Sequence, residues 1–211
     1  MAEPLYPLLS LARLRMGIDG EGVTTLIAGA RCPLRCRWCI NKELLDKAPA
    51  EEISAEELLA RVKIDDLYFR ATGGGVTFGG GESLLHASFI RRFSALCPEE
   101  WKVSVETSLA VPRQNVETAL EAVDLFIVDC KDTDREIYRR YTGVDGAARV
   151  EENLRFLLDR AGPERVIVRV PLIQEYNTPE NQARSAERLC ALGVTRLDLF
   201  DYVIREKNDE L

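Results

Sequence analysis

Residues 31–41 read Arg-Cys-Pro-Leu-Arg-Cys-Arg-Trp-Cys-Ile-Asn, and the run before them, VTTLIAGA (23–30), is an apolar β-type segment. Three thiols, Cys32, Cys36 and Cys39, therefore fall within eight residues at the end of a strand-like run. Three thiolates are one ligand short of a closed tetrahedral zinc or iron–sulfur site. A cubane iron–sulfur cluster held by three cysteines leaves one iron without a protein ligand, open to a small molecule. The competing reading is a zinc knuckle, which wants four Cys or His ligands, usually in two close pairs. The chain has one histidine, His86, and its other cysteines (Cys97, Cys130, Cys190) stand alone among apolar neighbours. Isolated thiols of that kind pack as small hydrophobes. The expected occupant of the loop is an open iron–sulfur cluster.

Outward from that loop, short apolar runs alternate with amphipathic ones. The runs expected as strands are 23–30, GVTFGG (75–80), KVSVETS (102–108), DLFIVDCK (124–131), VIVRVPLI (166–173) and RLDLFDYV (196–203). Their near-continuous hydrophobicity suits parallel strands covered on both faces. Between them, Ser54-x-x-Glu57 is a capping box opening a helix. Further helices are expected over 86–96, 115–123, 134–141 and 150–161, and one after Thr178-Pro179 runs to Leu192. Alternating βα units imply an α/β domain with right-handed crossovers. Six strands are too few for a complete eight-stranded barrel, so the expectation is one domain, residues 1–211, folded as a partial, open (β/α)6 barrel.

Composition narrows the function classes. The 211 residues are 46% hydrophobic and 30% charged, as in ordinary globular proteins. No apolar run approaches the roughly 18–20 residues of a membrane span, and the start lacks a secretory layout. Six cysteines without a secretory signal point to a reducing compartment, the cytoplasm. The closing NDEL is expected to be a solvated tail. A net charge of −7 argues against nucleic acid as a main partner.

The remaining polar signals fall at the C-terminal ends of the expected strands, where such architectures place active sites. Gly79-Gly80-Gly81 lets the backbone approach a ligand, and Glu82 offers a carboxylate to an ammonium group. Glu106, Thr107 and Asp129 put oxygens at two adjacent strand ends, able to hold a monovalent or small hard cation or to bond cofactor hydroxyls. Lys131 and Arg169 need a negative partner; for Lys131 a cofactor carboxylate and an ion pair with Asp129 or Asp132 stand open together. His86 is expected to cap a helix or face solvent, and Trp38 to pack beside the cluster.

The Cys-x-x-x-Cys-x-x-Cys spacing resembles the signature of the radical S-adenosylmethionine (SAM) superfamily. GGGVTFGGGES resembles its glycine–glycine–glutamate motif, which binds the methionine amino group through the segment matched by Gly80, Gly81 and Glu82. More narrowly, the chain is similar to glycyl radical enzyme activating enzymes of the pyruvate formate-lyase activating type. The likeness is carried by Asp19-Gly20-Glu21-Gly22, RCPLRCRWCIN, GGGVTFGGGESLL, DLFIVDCKDTDREIYRRYTGVD and VRVPLIQEYNTPEN. That resemblance implies the partial-barrel fold and a [4Fe–4S] cluster on Cys32, Cys36 and Cys39 that cleaves S-adenosylmethionine reductively to methionine and a 5′-deoxyadenosyl radical. The radical takes hydrogen from a glycine Cα of a partner glycyl radical enzyme. The resemblance further implies cofactor contacts by Trp38, Gly80, Gly81, Glu82, Thr107, Asp129, Lys131 and Arg169, with Trp38 near the adenine. Asp19, Gly20 and Gly22 would seat the substrate's glycine loop. Flavodoxin or ferredoxin is implied as reductant, and a monomer in an anaerobic cytoplasm is expected. The departures are Ile40 after the third cysteine where the group often has His, Ser83 after Glu82, Glu106 in place of a shorter Asp, and Val203 where a histidine is usual. A radical SAM enzyme acting on a small molecule or peptide and a non-catalytic metal-binding module are the alternatives.

Overall fold

The computed structural model describes residues 3–47 and 49–202; Val203 and the NDEL tail lie outside the described residues. The chain begins with a strand the sequence reading lacks. β1 (Tyr6–Met16) pairs antiparallel with β2 (Val23–Gly29) on one side and with the short β3 (Glu51–Ile53) on the other. From β2 the sheet continues in parallel through β4 (Gly75–Gly80), β5 (Lys102–Thr107), β6 (Leu125–Asp129), β7 (Val166–Leu172) and β8 (Arg196–Asp201). The order is β3-β1-β2-β4-β5-β6-β7-β8, so the sheet is open, with β3 and β8 at its edges. The six parallel strands are the six expected from sequence, and the antiparallel pair extends them to eight.

The helices form where the sequence supplies caps. α1 (Lys42–Lys47) follows the cysteine loop. α2 (Ala55–Val62) starts at the Ser54/Glu57 capping box and is followed by α3 (Asp66–Thr72). α4 (Ala87–Ser94) and α5 (Arg113–Ala119) flank β5 in sequence. α6 (Arg135–Thr142) is opened by Asp134, whose carboxylate accepts from the Glu136 and Ile137 N–H groups, and it stops at Gly143 with φ +72°. α7 (Ala147–Ala161) precedes β7, and α8 (Pro179–Ala191) begins with a second capping box, Thr178 with Asn181. No helix among the described residues is long and apolar enough to cross a membrane.

Strand alternation gives the sheet two different faces. Val76, Phe78, Val103, Val105, Phe126, Val128, Val166, Val168 and Val170 join the core under the helices. Phe78 is fully buried and meets Tyr6 and Phe93 edge-on at 5.4 and 5.3 Å. The alternate positions, among them Thr77, Gly79, Ser104, Glu106, Asp129 and Arg169, turn to the inner face. Register decides what meets there. Gly29 lies opposite Gly80, so the cysteine loop and the glycine loop leave the sheet side by side. Asp129 lies opposite Arg169, and Arg169 opposite Asp198.

Candidate active site at the strand C-termini

The cysteine loop is fastened from two directions. Arg35 and Arg37 donate main-chain N–H bonds to the carbonyls of Thr142 (2.8 Å) and Tyr141 (3.0 Å), at the C-terminal turn of α6. From the sheet side, Gly81 donates to Gly29 (2.9 Å) and Glu82 to Arg31 (2.8 Å), while the Asn41 side chain donates to the Gly80 carbonyl (2.9 Å). A Cβ on Gly81 would stand 2.2 Å from the Arg31 carbonyl oxygen, and Gly80 has φ +88°, so only glycines let these two loops close on each other. Cys32, Cys36 and Cys39 are free thiols, each half-buried. Burial pushes the Cys32 thiol up to about 11 and moves Cys36 in the same direction.

Glu82 is 2% exposed and fully engaged. One oxygen accepts from the Thr107 hydroxyl (2.6 Å) and Leu84 N–H (3.2 Å), the other from Ser108 N–H (2.9 Å) and hydroxyl (2.5 Å). Burial raises its pKa in spite of these four donors. A carboxylate has about four acceptor positions, so an ammonium arriving at this loop would displace one donor or be held by main-chain carbonyls. Glu82 thereby ties the end of β4 to the end of β5, a role the sequence did not show.

On the inner face the charges interlock. The Arg169 guanidinium lies 2.7 Å from Glu106, 4.0 Å from Asp129 and 3.9 Å from Asp198, and it donates to the Ile18 carbonyl. Glu106 is pushed above the ordinary carboxylate range by burial and then by Asp129. Lys131 pairs with Asp129 at 3.2 Å and not with Asp132, whose oxygens serve Ser185 and Asn177. Burial works against the Lys131 ammonium, but the combined pull of Asp129, Cys36, Tyr141 and Tyr202 carries its pKa above the usual lysine value. Between Glu106 and Asp129 the positive charge is thus Arg169's own, and a bound cation would have to share that place.

The Asp19–Gly22 segment sits among the inner-face side chains. Asp19 is 2% exposed and paired with Arg15, and its carbonyl accepts from Thr77. A Cβ on Gly22 would meet the Thr72 carbonyl at 2.6 Å, and one on Gly20 would stand 3.4 Å from Ser104 Oγ. Two readings of single residues change. His86 neither caps α4 nor lies free in solvent: its ring packs edge-on to Tyr6 at 5.1 Å and its Nε2 lies 3.3 Å from the Ala30 carbonyl. Cys190 is exposed, because it falls on the outer side of α8, whereas Cys130 is buried and Cys97 half-buried.

Three buried polar atoms near the cysteine and glycine loops have no hydrogen-bond partner: Trp38 Nε1, Ser83 Oγ and Tyr138 Oη. Leaving such a group unsatisfied costs about 1–3 kcal/mol, which a bound ligand can offset. Among the described residues no three Cys, His, Asp or Glu side chains converge as they would on a single metal ion. Zinc gathers its ligands about one point at roughly 2.0–2.3 Å, whereas a cubane gives each cysteine an iron of its own. Three thiols on a half-buried loop, glycines that admit close approach and orphaned donors beside them fit a cluster with an organic ligand. Tyr138, Tyr141, Ser108 and Asn41 were not assigned site roles from sequence. Tyr138 and Tyr141 fall within the helix expected over 134–141, and only their position under the loop distinguishes them.

The sequence profile of the Radical SAM superfamily matches residues 26–183. The chain belongs to that superfamily, whose members use a [4Fe–4S] cluster and S-adenosylmethionine. Its curated relatives include the pyruvate formate-lyase-activating enzyme of Clostridium pasteurianum, 36% identical over 60% of this chain and 53% of that one. The pyruvate formate-lyase 2-activating enzyme of Escherichia coli is 30% identical over 87% of this chain and 73% of its own length. Within the superfamily the chain belongs with these glycyl radical enzyme activating enzymes. Streptococcus suis SuiB, solved with S-adenosylmethionine bound, shares the fold with a TM-score of 0.65 at 13% identity, over 84% of this chain and 39% of that one.

Proposed function

We propose that this chain activates a partner glycyl radical enzyme by removing hydrogen from one glycine Cα. The observation that carries this reading is the cysteine loop, held by the glycine loop and by α6, within a chain whose relatives are named for such activation. Cys32, Cys36 and Cys39 would hold the cluster, and Gly80, Gly81 and Glu82 would border S-adenosylmethionine. When bound, the cluster and S-adenosylmethionine together supply a 5′-deoxyadenosyl radical as the hydrogen acceptor. The protein's part is to bind, orient and exclude water. Lys131 offers its ammonium to a carboxylate, and Trp38 and Tyr138 offer their unpartnered N–H and O–H groups.

In this proposal residues 1–211 act as one domain, a monomer in an anaerobic cytoplasm, reduced by flavodoxin or ferredoxin. Asp19, Gly20 and Gly22 shape the inner face against which the substrate glycine loop rests, while Thr107, Asp129 and Arg169 border the cofactor. A monovalent cation beside Glu106 and Asp129 belongs to the same proposal. The test is anaerobic incubation of reconstituted protein with a candidate glycyl radical enzyme and S-adenosylmethionine. A glycyl doublet in the electron paramagnetic resonance (EPR) spectrum is expected. Release of 5′-deoxyadenosine with no protein radical on any candidate partner would assign the chain to a small-molecule substrate instead.

A further inference from the structure

Cys36 is the thiol held closest to α6, because its two neighbours, Arg35 and Arg37, donate to the Thr142 and Tyr141 carbonyls at the end of that helix. The buried face of α6 consists of Tyr138, Tyr141 and Thr142. Tyr138, one turn before those carbonyls, thus belongs to the core against which Cys36 packs. Tyr6, Tyr138 and Tyr141 are each no more than 1% exposed. Tyr6 donates to the Ile27 carbonyl at 3.4 Å, and Tyr141 shares a hydrogen bond with Tyr202, which donates to the Trp38 carbonyl. The Tyr138 hydroxyl, alone of the three, has no partner among the described residues. Phenylalanine would fill the same space without leaving a polar atom dry. Burial lifts the Tyr138 hydroxyl above the ordinary tyrosine range, and of the charged groups around it Cys36 acts most strongly, ahead of Lys131, Cys130 and Glu82. A Cβ on Gly146 would stand 3.3 Å from the hydroxyl oxygen, so the ring also reaches the start of α7, whose positive end polarises the O–H toward donation.

We propose that Tyr138 donates its hydroxyl hydrogen to the Cys36 sulfur once that sulfur binds iron, and so acts as a positioning residue that raises the reduction potential of the cluster. The inference rests on the cluster in the function proposed above. A neutral thiol is a weak acceptor, which accounts for an idle hydroxyl beside free thiols. An iron-bound thiolate carries negative charge and accepts strongly. Reduction adds one electron, and hence one more negative charge, to the cluster and its sulfurs; no bond forms or breaks. A donor to one of those sulfurs stabilises the reduced state more than the oxidised one, and hydrogen bonds to the sulfurs are one of the means by which a protein sets such a potential. The bond would lie in the core, where the low dielectric strengthens it.

The test compares Tyr138→Phe with the wild type and with Tyr68→Phe, which alters an exposed tyrosine on α3. Each protein is reconstituted anaerobically and its iron and sulfide are counted. The cluster is then titrated with dithionite against mediator dyes, and the reduced state is read by EPR without S-adenosylmethionine. For Tyr138→Phe we expect full iron and sulfide and a reduced-to-oxidised ratio about tenfold lower at a fixed potential, a fall of about 59 mV. Its apoprotein should unfold at a higher denaturant concentration than the wild type's, because the orphaned hydroxyl is gone. Tyr68→Phe should match the wild type in potential. An unchanged potential in loaded Tyr138→Phe would overturn the proposal and give the hydroxyl to a buried water. So would failure of Tyr138→Phe to take up iron, or a lower unfolding midpoint of its apoprotein, either of which would make Tyr138 a prop of the fold. A wild type that takes up no cluster would sink the proposed function and this inference together. A shifted potential in a protein that radicalises no candidate glycyl radical enzyme would count against the proposed function alone.

Discussion

Near the N-terminal ends of the parallel strands, Arg15 holds Asp19, Arg196 holds Glu21 at 3.1 Å, and Arg165 spends its guanidinium on the carbonyls of Leu120 and Val123. At the C-terminal ends three thiols, two of the loop's neighbouring aromatic donors and the Ser83 hydroxyl are left over. Thr24 Oγ1, beside Gly20, is the one further buried orphan among the described residues. The N-terminal end also has a cavity of about 240 Å³, lined by Glu21, Lys102, Asp124, Arg165 and Arg196 among others. Its size does not make it the reactive site, because its charges already answer one another. Unspent bonding capacity, more than empty volume, marks where a ligand belongs.

The comparison can be broken most severely at Glu82, the one carboxylate at the C-terminal ends with every acceptor position filled. Glu82→Ala leaves Thr107 and Ser108 without their acceptor, and a loss of roughly 3–5 kcal/mol is expected from denaturant unfolding. A loss below about 1 kcal/mol would mean that water replaces the carboxylate there, and that this end is wetter than the geometry shows. Arg169 sharpens the contrast because it links both ends, from Glu106 and Asp129 to the Ile18 carbonyl. Arg169→Met should cost about 2–3 kcal/mol, since Glu106 is left buried without its partner. The loss should ease as pH falls, because burial raises the Glu106 pKa and the orphaned carboxylate then takes up a proton more readily.

The sequence carried the parallel part of the fold well. Continuous Val, Ile and Phe runs mark β4 through β7 to within about two residues, because both faces of those strands are covered or lined by protein. β1 was illegible for a physical reason: Arg13 and Arg15 interrupt its apolar pattern, one turned to Asp65 and one to Asp19. β3 is three residues long and has no periodicity to read. In the site, the cysteines were legible because spacing alone defines them. Asn41, Ser108 and Tyr138 were not, since their bonds or orphaned atoms depend on which loops the sheet register brings together.

The smallest effect concerns His86, the chain's only histidine and so a resolved probe beside Ala30. Burial, followed by the opposing bond to the Ala30 carbonyl, leaves its pKa below the ordinary value of about 6.5. A base depressed in the fold contributes stability above its unfolded pKa and loses it as pH falls through the folded one. Proton resonance titration should give a midpoint under 6.5, and His86→Gln should flatten the stability profile between about pH 7 and 5 by a few tenths of a kcal/mol. A midpoint at or above 6.5 would place the ring in solvent.

The central claim is that the half-buried thiol loop carries a four-iron cluster with one corner left for S-adenosylmethionine. Iron and sulfide counts on anaerobically reconstituted protein, joined to EPR of the reduced state with and without S-adenosylmethionine, test it most directly. We expect about four of each per chain, a signal altered by S-adenosylmethionine, and loss of both iron and signal in Cys36→Ala. One zinc per chain, or a cluster signal indifferent to S-adenosylmethionine, would contradict it.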